Sequence, residues 1–266
     1  MKKLIVPIVA FALFSIWSCE EGTTSEGDAT DSIDSVVVAD PSEWKVKSIT
    51  EQTMGYVVDE VVDTSLIEIT EFDSLGRKIS FCRIPTEGEK HTSRYSYEGD
   101  SLMKIVTTFE DSTEFVERHM TDSTGRRTDV YWEDEKIPAE RFQYNESGQL
   151  VEKDEMEEST NNVVMKIMYS YNEKGQLVME EESYAADAVV YKSKTYEYDE
   201  NGDVTKEKCW SDEDPSDNYV IMYEYPKRDE TGRWTECVRI ETNETTDYSY
   251  KSLITRKIEY YKDDKK

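Results

Sequence analysis

Tyr169-Ser170-Tyr171-Asn172-Glu173-Lys174-Gly175-Gln176-Leu177 is the stretch that decides the fold. Its pattern is an aromatic pair, a turn and an apolar residue. The pattern recurs on both sides: Phe142 and Tyr144 lead to Asn145, Gly148 and Leu150, and Tyr196 and Tyr198 lead to Asp199, Gly202 and Val204. The second aromatics, Tyr144, Tyr171, Tyr198 and Tyr225, follow one another at one constant interval of 27 residues. A fixed period of this length marks a repeat architecture.

Asn or Asp at the first turn position and Gly at the fourth suit a type I turn closed by a left-handed residue, which is hairpin chemistry. The turn glycines are Gly76, Gly125, Gly148, Gly175, Gly202 and Gly232. A plain hairpin places Tyr171 opposite Leu177 and Tyr169 opposite Met179 as cross-strand pairs. Lys166, Ser170, Glu180 and Glu182 then share the other, wet face. One apolar and one polar face indicate antiparallel strands. The Glu-rich run from Glu152 to Glu158 is the best helical rival, but it falls where the repeat requires a strand.

The residues 198 to 204, Tyr-Asp-Glu-Asn-Gly-Asp-Val, and their copies at 144 and 171 resemble the YD repeat of Rhs-type proteins. The resemblance is clearest over residues 142–240. Around Gly76, Lys78 stands where Leu belongs; around Gly125, Thr121 replaces the aromatic and Arg127 the Leu; after Tyr225 an insertion begins at Pro226. The resemblance implies strand-and-turn architecture. In the large toxins of that family such repeats build a shell around a toxin domain, but this chain has too few copies to enclose one. It also lacks the Asp-Pro-x-Gly cleavage element, because Asp214-Pro215 is followed by Ser216 and Asp217.

The chain of 266 residues has 18 Tyr against 7 Phe, which suits strands with one wet face. Its 59 acids and 32 bases give a charge of -27, and loss of Lys2 and Lys3 with a signal peptide would make it -29. Such a charge argues against nucleic-acid backbones and anionic membrane surfaces as partners. Lys2 and Lys3 followed by the apolar run Leu4 to Trp17 read as a secretory signal too short to span a bilayer. Ile16-Trp17-Ser18-Cys19 resembles a bacterial lipobox, which implies that Cys19 is the acylated first mature residue. Glu20 and Glu21 resemble the export signal of surface-exposed lipoproteins. The expected organisation is a signal peptide over 1–18, an acidic tether over 19–41 and one β-repeat domain over 42–266, anchored to the bacterial outer membrane. Asp31-Ser32-Ile33 and Asp34-Ser35-Val36 look like short O-glycosylation acceptors, but the triplet is common by chance and polar linker composition is the better reading.

Catalytic patterns are scarce. There are two histidines, His91 and His119, both read as surface residues, and no nucleophile elbow, zinc-protease motif or phosphate loop. Asp199, Asn201 and Asp203, and the loop bearing Asp212, Glu213, Asp214 and Asp217, have oxygens that could suit calcium, but turn chemistry explains the first set. No metal or cofactor is expected. Cys82, Cys209 and Cys237 are expected to remain unpaired, with Cys209 and Cys237 on the wet face two strand spacings apart, about 9.6 Å.

These readings converge on an all-β antiparallel meander of about fifteen strands in a curved sheet or open barrel-like shell, acting as a non-catalytic binding or structural lipoprotein. The alternatives are a glycan-binding accessory lipoprotein and a carboxylate-dependent hydrolase. Tyr169, Tyr171, Tyr196, Tyr198, Tyr223 and Tyr225 are the candidate ligand surface. Their inferred aliphatic partners Leu177, Met179 and Val204 favour a packing role for the same rings.

Overall fold

The computed structural model describes residues 44–57, 60–157, 159–214, 217–243, 245 and 248–261. Cys19, the signal segment and the tether lie outside them. The described residues form no α-helix. The strands are β1 (Val46–Val57), β2 (Glu60–Phe72), β3 (Lys78–Pro85) and β4 (His91–Glu98), then β5 (Ser101–Phe109), β6 (Glu114–Thr121), β7 (Arg127–Trp132) and β8 (Glu140–Tyr144). They continue as β9 (Leu150–Met156), β10 (Val163–Tyr171), β11 (Leu177–Tyr184) and β12 (Val190–Tyr198), then β13 (Val204–Ser211), β14 (Tyr219–Arg228), β15 (Trp234–Asn243) and β16 (Tyr248–Tyr260). Each pairs antiparallel with the next, and β16 pairs with β1, so the sheet is a closed barrel of consecutive hairpins. The run at Glu152 is part of β9, a strand.

At one rim six hairpin turns are built alike, the exception being the two-residue Gly99-Asp100 turn between β4 and β5. In the turn at 172–176, the Gly175 amide donates to the Asn172 carbonyl at 2.9 Å, and the Asn172 side-chain oxygen accepts the Lys174 and Gln176 amides at 3.0 Å each. Asp73, Asp122, Asp199 and Asp229 hold their turns through the same side-chain oxygen. Gly175 has φ +79°, and a Cβ there would lie 3.4 Å from the Gln149 side chain. Gly175→Ala is therefore expected to cost about 1–2 kcal/mol, read as a shift in urea midpoint with unchanged slope. A neutral result would mean that the turn can relax out of the left-handed region.

One feature of these turns corrects the expected register. Tyr171 does face Leu177, but Ser170 faces Met179 and Tyr169 faces Glu180, because Val178 bulges out of the ladder. The same shift follows the turns after Phe72, Tyr97, Thr121, Tyr144, Tyr198 and Arg228. A bulge adds one residue, reverses the facing of everything downstream and bends the strand. Repeated at every turn of this rim, it curls the meander toward closure. Consequently Glu180 and Glu182 share the face of Tyr169 and Tyr171, whereas Lys166 and Ser170 lie on the opposite face as expected.

All described strands belong to one sheet, and the most deeply covered side chains, His119, Val130, Cys209, Cys237 and Ser252, all lie on one of its faces. Val130, Phe142, Ile167, Cys209, Ile221 and Cys237 are buried and alternate in register with the tyrosines. The tyrosine face is therefore the inner face. Its apolar centre is Val130, Phe142 and Leu150, with Tyr144 and Tyr169 packed against it.

The second tyrosine of the repeat has a distinct task. Toward the turn rim the ladders between hairpins stop early, at Ser80↔Arg94, Glu152↔Met168, Met179↔Thr195 and Lys206↔Met222. Two residues beyond each stop, a tyrosine hydroxyl donates to the carbonyl left over: Tyr97 to Lys78 (2.7 Å), Tyr171 to Leu150 (2.8 Å), Tyr198 to Leu177 (2.6 Å) and Tyr225 to Val204 (2.7 Å). These bonds staple hairpin to hairpin where the backbone no longer does. Thr121, at the degenerate turn, is too short to do the same. At the closure, the Tyr261 hydroxyl reaches the Phe72 carbonyl at 2.6 Å and Lys45 reaches the Ser74 carbonyl at 2.9 Å.

Candidate functional site

The inner face from β8 to β16 combines rings with carboxylates. Glu180 on β11 accepts the Tyr196 hydroxyl at 3.0 Å. Glu207 on β13 is buried and accepts two hydroxyls, from Tyr219 at 3.0 Å and Tyr223 at 3.3 Å. Glu182 accepts Tyr191 at 3.1 Å. In each case a ring on one strand donates to a carboxylate on the strand before it. Farther round, Lys153 sits 3.0 Å from both Glu140 and Glu155, and Arg256 bonds Glu51 while lying 3.3 Å over the Trp234 ring.

Electrostatics follow the burial. Burial, reinforced by the nearby Glu180 and Glu207, raises the Tyr196 hydroxyl far above the usual phenol range. Burial likewise raises Tyr169, Tyr219, Tyr223 and Tyr225, and pushes Tyr95 to about 12 with Glu117 adding to the effect. Burial also raises Glu180 despite the hydroxyl it accepts. Among these phenols Tyr196, Tyr219 and Tyr223 donate to carboxylates and Tyr225 to a backbone carbonyl.

The six candidate tyrosines thus fall into two sets. Tyr171, Tyr198 and Tyr225 staple backbones at the rim, and Tyr169, Tyr196 and Tyr223 lie deeper among carboxylates. Only Tyr171 and Tyr198 have the aliphatic partners expected of them; Tyr196 faces Glu207 and Tyr223 faces Arg239. The bulge was the missed signal, and a type I turn with a left-handed Gly is the arrangement that commonly carries one.

His119 is 1% exposed, on the inner face opposite Val130 and 3.4 Å from Glu117, where a surface position was expected. His119 stands two residues before Thr121 as Phe142 stands before Tyr144, so it takes the inward place of the first aromatic of the repeat, with Glu117 and Val130 on the same face. His91 is partly covered, between Phe81 and Phe109. The first calcium candidate is already neutralised: the Arg228 guanidinium lies 3.3 Å from Asp199 and 2.6 Å from Asp203. In the second, Asp217 pairs with Lys192 at 3.0 Å and Glu213 accepts the Tyr184 hydroxyl at 2.8 Å. Among the described residues no group of three or more His, Cys, Asp or Glu side chains is placed to hold a metal.

Three thiols are unpaired, but Cys209 and Cys237 are buried on the inner face, not the wet one, because the bulge after Val204 and the one after Trp234 reverse their parity. Cys209 lies level with Tyr219 and Cys237 beyond Glu224, roughly 20 Å along β14 and out of disulfide reach. Burial pushes the Cys237 thiol up to about 12 and raises Cys209. Reactivity follows the thiolate, so a thiol reagent should label Cys82 alone in the native domain and all three after unfolding. Rapid native labelling of Cys209 or Cys237 would contradict the facing assigned to β13 and β15.

Comparison with known proteins agrees with this geometry at the level of fold. No family model and no curated protein matches the chain. The chain is similar to a porin-like protein from Bacteroides uniformis at 14% identity and a TM-score of 0.56, covering 80% of this chain and 98% of that one. It is also aligned with a porin-like protein from Bacteroides vulgatus at 13% identity and a TM-score of 0.43, over 82% and 99%. A weaker alignment is with the TcdB2-TccC3 structure, at 15% identity and a TM-score of 0.36, over 76% of this chain and 11% of that one. The likeness is one of barrel architecture.

Two shallow depressions lie at opposite rims. One, of about 470 Å³, opens between neighbouring repeat turns beside Gln176, Val178, Tyr196 and Tyr198. The other, of about 580 Å³, lies at the far rim beside Val164, Tyr184 and Ala186.

Proposed function

We propose that this protein is a lipid-anchored, non-catalytic binding module of the bacterial envelope whose barrel stands in water. The observation that carries the reading is the outer face. Asp129, Arg141, Asp154 and Lys166 stand abreast on β7 to β10, joined by Arg141 to Asp129 at 3.5 Å and Lys166 to Asp154 at 3.4 Å. Lys206 with Glu197 and Lys257 with Glu259 continue the ionic surface. A lipid-facing barrel carries an apolar band of about 25 Å, and each Lys or Arg at its midplane costs about 2–4 kcal/mol. Among the described residues no helix is long and apolar enough to cross a membrane; in this reading Cys19 supplies the attachment. The YD-repeat resemblance supports a module built by stacking hairpins. A glycan platform is disfavoured because the candidate tyrosines share the inward face and the hydroxyls of Tyr171, Tyr196, Tyr198, Tyr223 and Tyr225 are engaged.

The test has two readouts. Native full-length protein should fractionate with membranes and carry acyl mass on Cys19. Residues 20–266 expressed alone should stay in solution without detergent. Native protein lacking acyl mass would remove the anchor, and a barrel that needs detergent would put its outer face in lipid.

A further inference from the structure

The two rims of the barrel are built differently. One carries the near-identical repeat turns. The other carries connections of varied length, at 86–90, 110–113, 133–139, 157–162, 185–189 and 212–218. Every described non-glycine residue with positive φ lies in them: Ser112, Glu133, Asn161 and Ala188. The exposed large aromatics of the described residues, Trp132, Tyr184 and Trp210, are at this rim too, with exposed Val164 and Val189.

The apolar residues concentrate between β9 and β14. Val164 and Tyr184 border the depression of about 580 Å³, which Val163, Ala185 and Ala186 complete. Tyr184 stacks on Tyr191 with ring centres 4.6 Å apart, fixing its orientation. In this sector the described connection residues carry acids and no base, namely Glu157, Asp187, Asp212, Glu213, Asp214 and Asp217, with Asp217 paired to Lys192 on β12. The described residues of these far-rim connections include thirteen acids and only two bases, Lys90 and Lys136. The turns of the other rim set ten acids against four bases, and at both rims several acids accept hydrogen bonds from nearby residues.

We propose that the far-rim sector between β9 and β14 docks a cationic polypeptide segment bearing apolar side chains. An exposed apolar patch framed by carboxylates selects a partner that is both basic and apolar. The closed sheet leaves no strand edge for β-augmentation, so recognition has to run through side chains. The same field repels phosphate-bearing partners and acidic peptides. This deepens the binding-module reading and rests on it, and the two can fail separately because acylation and solubility are measured without any ligand.

The experiment titrates the full chain against a fluorescent synthetic peptide of alternating lysine and leucine, with a glutamate–leucine peptide as the negative probe, and reads anisotropy. Saturable binding of the basic peptide is expected. Neutralising the sector with Glu157→Gln, Asp187→Asn, Asp212→Asn and Glu213→Gln should weaken it at least about tenfold, as should Val164→Ser with Tyr184→Ser. The equal charge change at the other rim, Glu146→Gln, Glu173→Gln, Glu200→Gln and Glu230→Gln, should alter it less than about twofold. No saturable binding, equal losses from the two charge sets, or full affinity in the Val164/Tyr184 variant would each overturn the proposal. Thermal melts of every variant establish that the barrel is intact.

Discussion

Lys153→Met is expected to lower stability by about 2–3 kcal/mol at neutral pH, the largest effect of any single charged residue on the inner face. Lys153 lies on β9 at 3.0 Å from Glu140 and from Glu155, and those two carboxylates are direct cross-strand neighbours. Its side chain is 17% exposed, so the pair is screened only in part and the loss belongs at the low end of the range for broken buried pairs. Burial pulls the Lys153 ammonium down, but Glu140 and Glu155 outweigh burial and its affinity for protons ends above the usual lysine value. A raised folded pKa contributes stability that is fully present below the ordinary lysine pKa and is lost as pH rises through the folded one. The wild-type contribution should thus hold across the physiological range and decay only in strong alkali, above about 10.4. Urea unfolding of Lys153→Met, and of the triple variant with Glu140→Gln and Glu155→Gln, checks this. The triple variant should recover most of the loss; a Lys153→Met protein as stable as the parent would show that water already solvates the two carboxylates.

Removing three hydroxyls, with Tyr171→Phe, Tyr198→Phe and Tyr225→Phe together, is expected to cost about 3 kcal/mol. Each hydroxyl is the donor to a carbonyl that the strand ladder has left behind, and one such bond contributes roughly 0.5–1.5 kcal/mol net. The rings remain, so apolar burial hardly changes and the urea slope should stay constant while the midpoint falls. The sites are on three different hairpins and share no partner, so the single losses should add. A triple variant within about 0.5 kcal/mol of the parent would mean that water caps Leu150, Leu177 and Val204 equally well.

The strand positions were legible in the sequence because period and turn chemistry agree: aromatic pair, Asn or Asp, Gly and apolar residue fix each hairpin at 142–150, 169–177 and 196–204. Facing was legible only up to the turn. A single extra residue, such as Val178 or Thr205, reverses everything after it, and hydropathy gives no warning because Glu180, Glu207 and Lys153 look like solvent-facing residues until tyrosines and acids are seen to satisfy them. Burial of Cys237 was hidden for the same reason, whereas His119 was hidden because Thr121 breaks the aromatic pair that marks the inward positions. Closure was illegible too, since the β1–β16 pairing depends on the accumulated bend of every bulge and on contacts such as Tyr261 to Phe72, which lie far apart in the chain. The far-rim patch draws on Val164, Tyr184 and Val189 from three different segments and has no local motif.

Closure also changes how the domain takes a mechanical load. The chain enters β1 at the repeat-turn rim, and β1 is registered on one side from Val46↔Tyr260 to Gly55↔Ser252 and on the other against β2 from Ser48↔Glu71 onward. In an open meander β1 would be an edge strand with one ladder. In the barrel, a pull on the segment ahead of Trp44 runs along the strand axis and strains two ladders in shear, with many bonds sharing the force at once. A pull separating the two termini would instead peel β1 from β16 one bond at a time. For a domain held by its N-terminal chain, the doubly seated strand is the one that bears the drag of the surroundings.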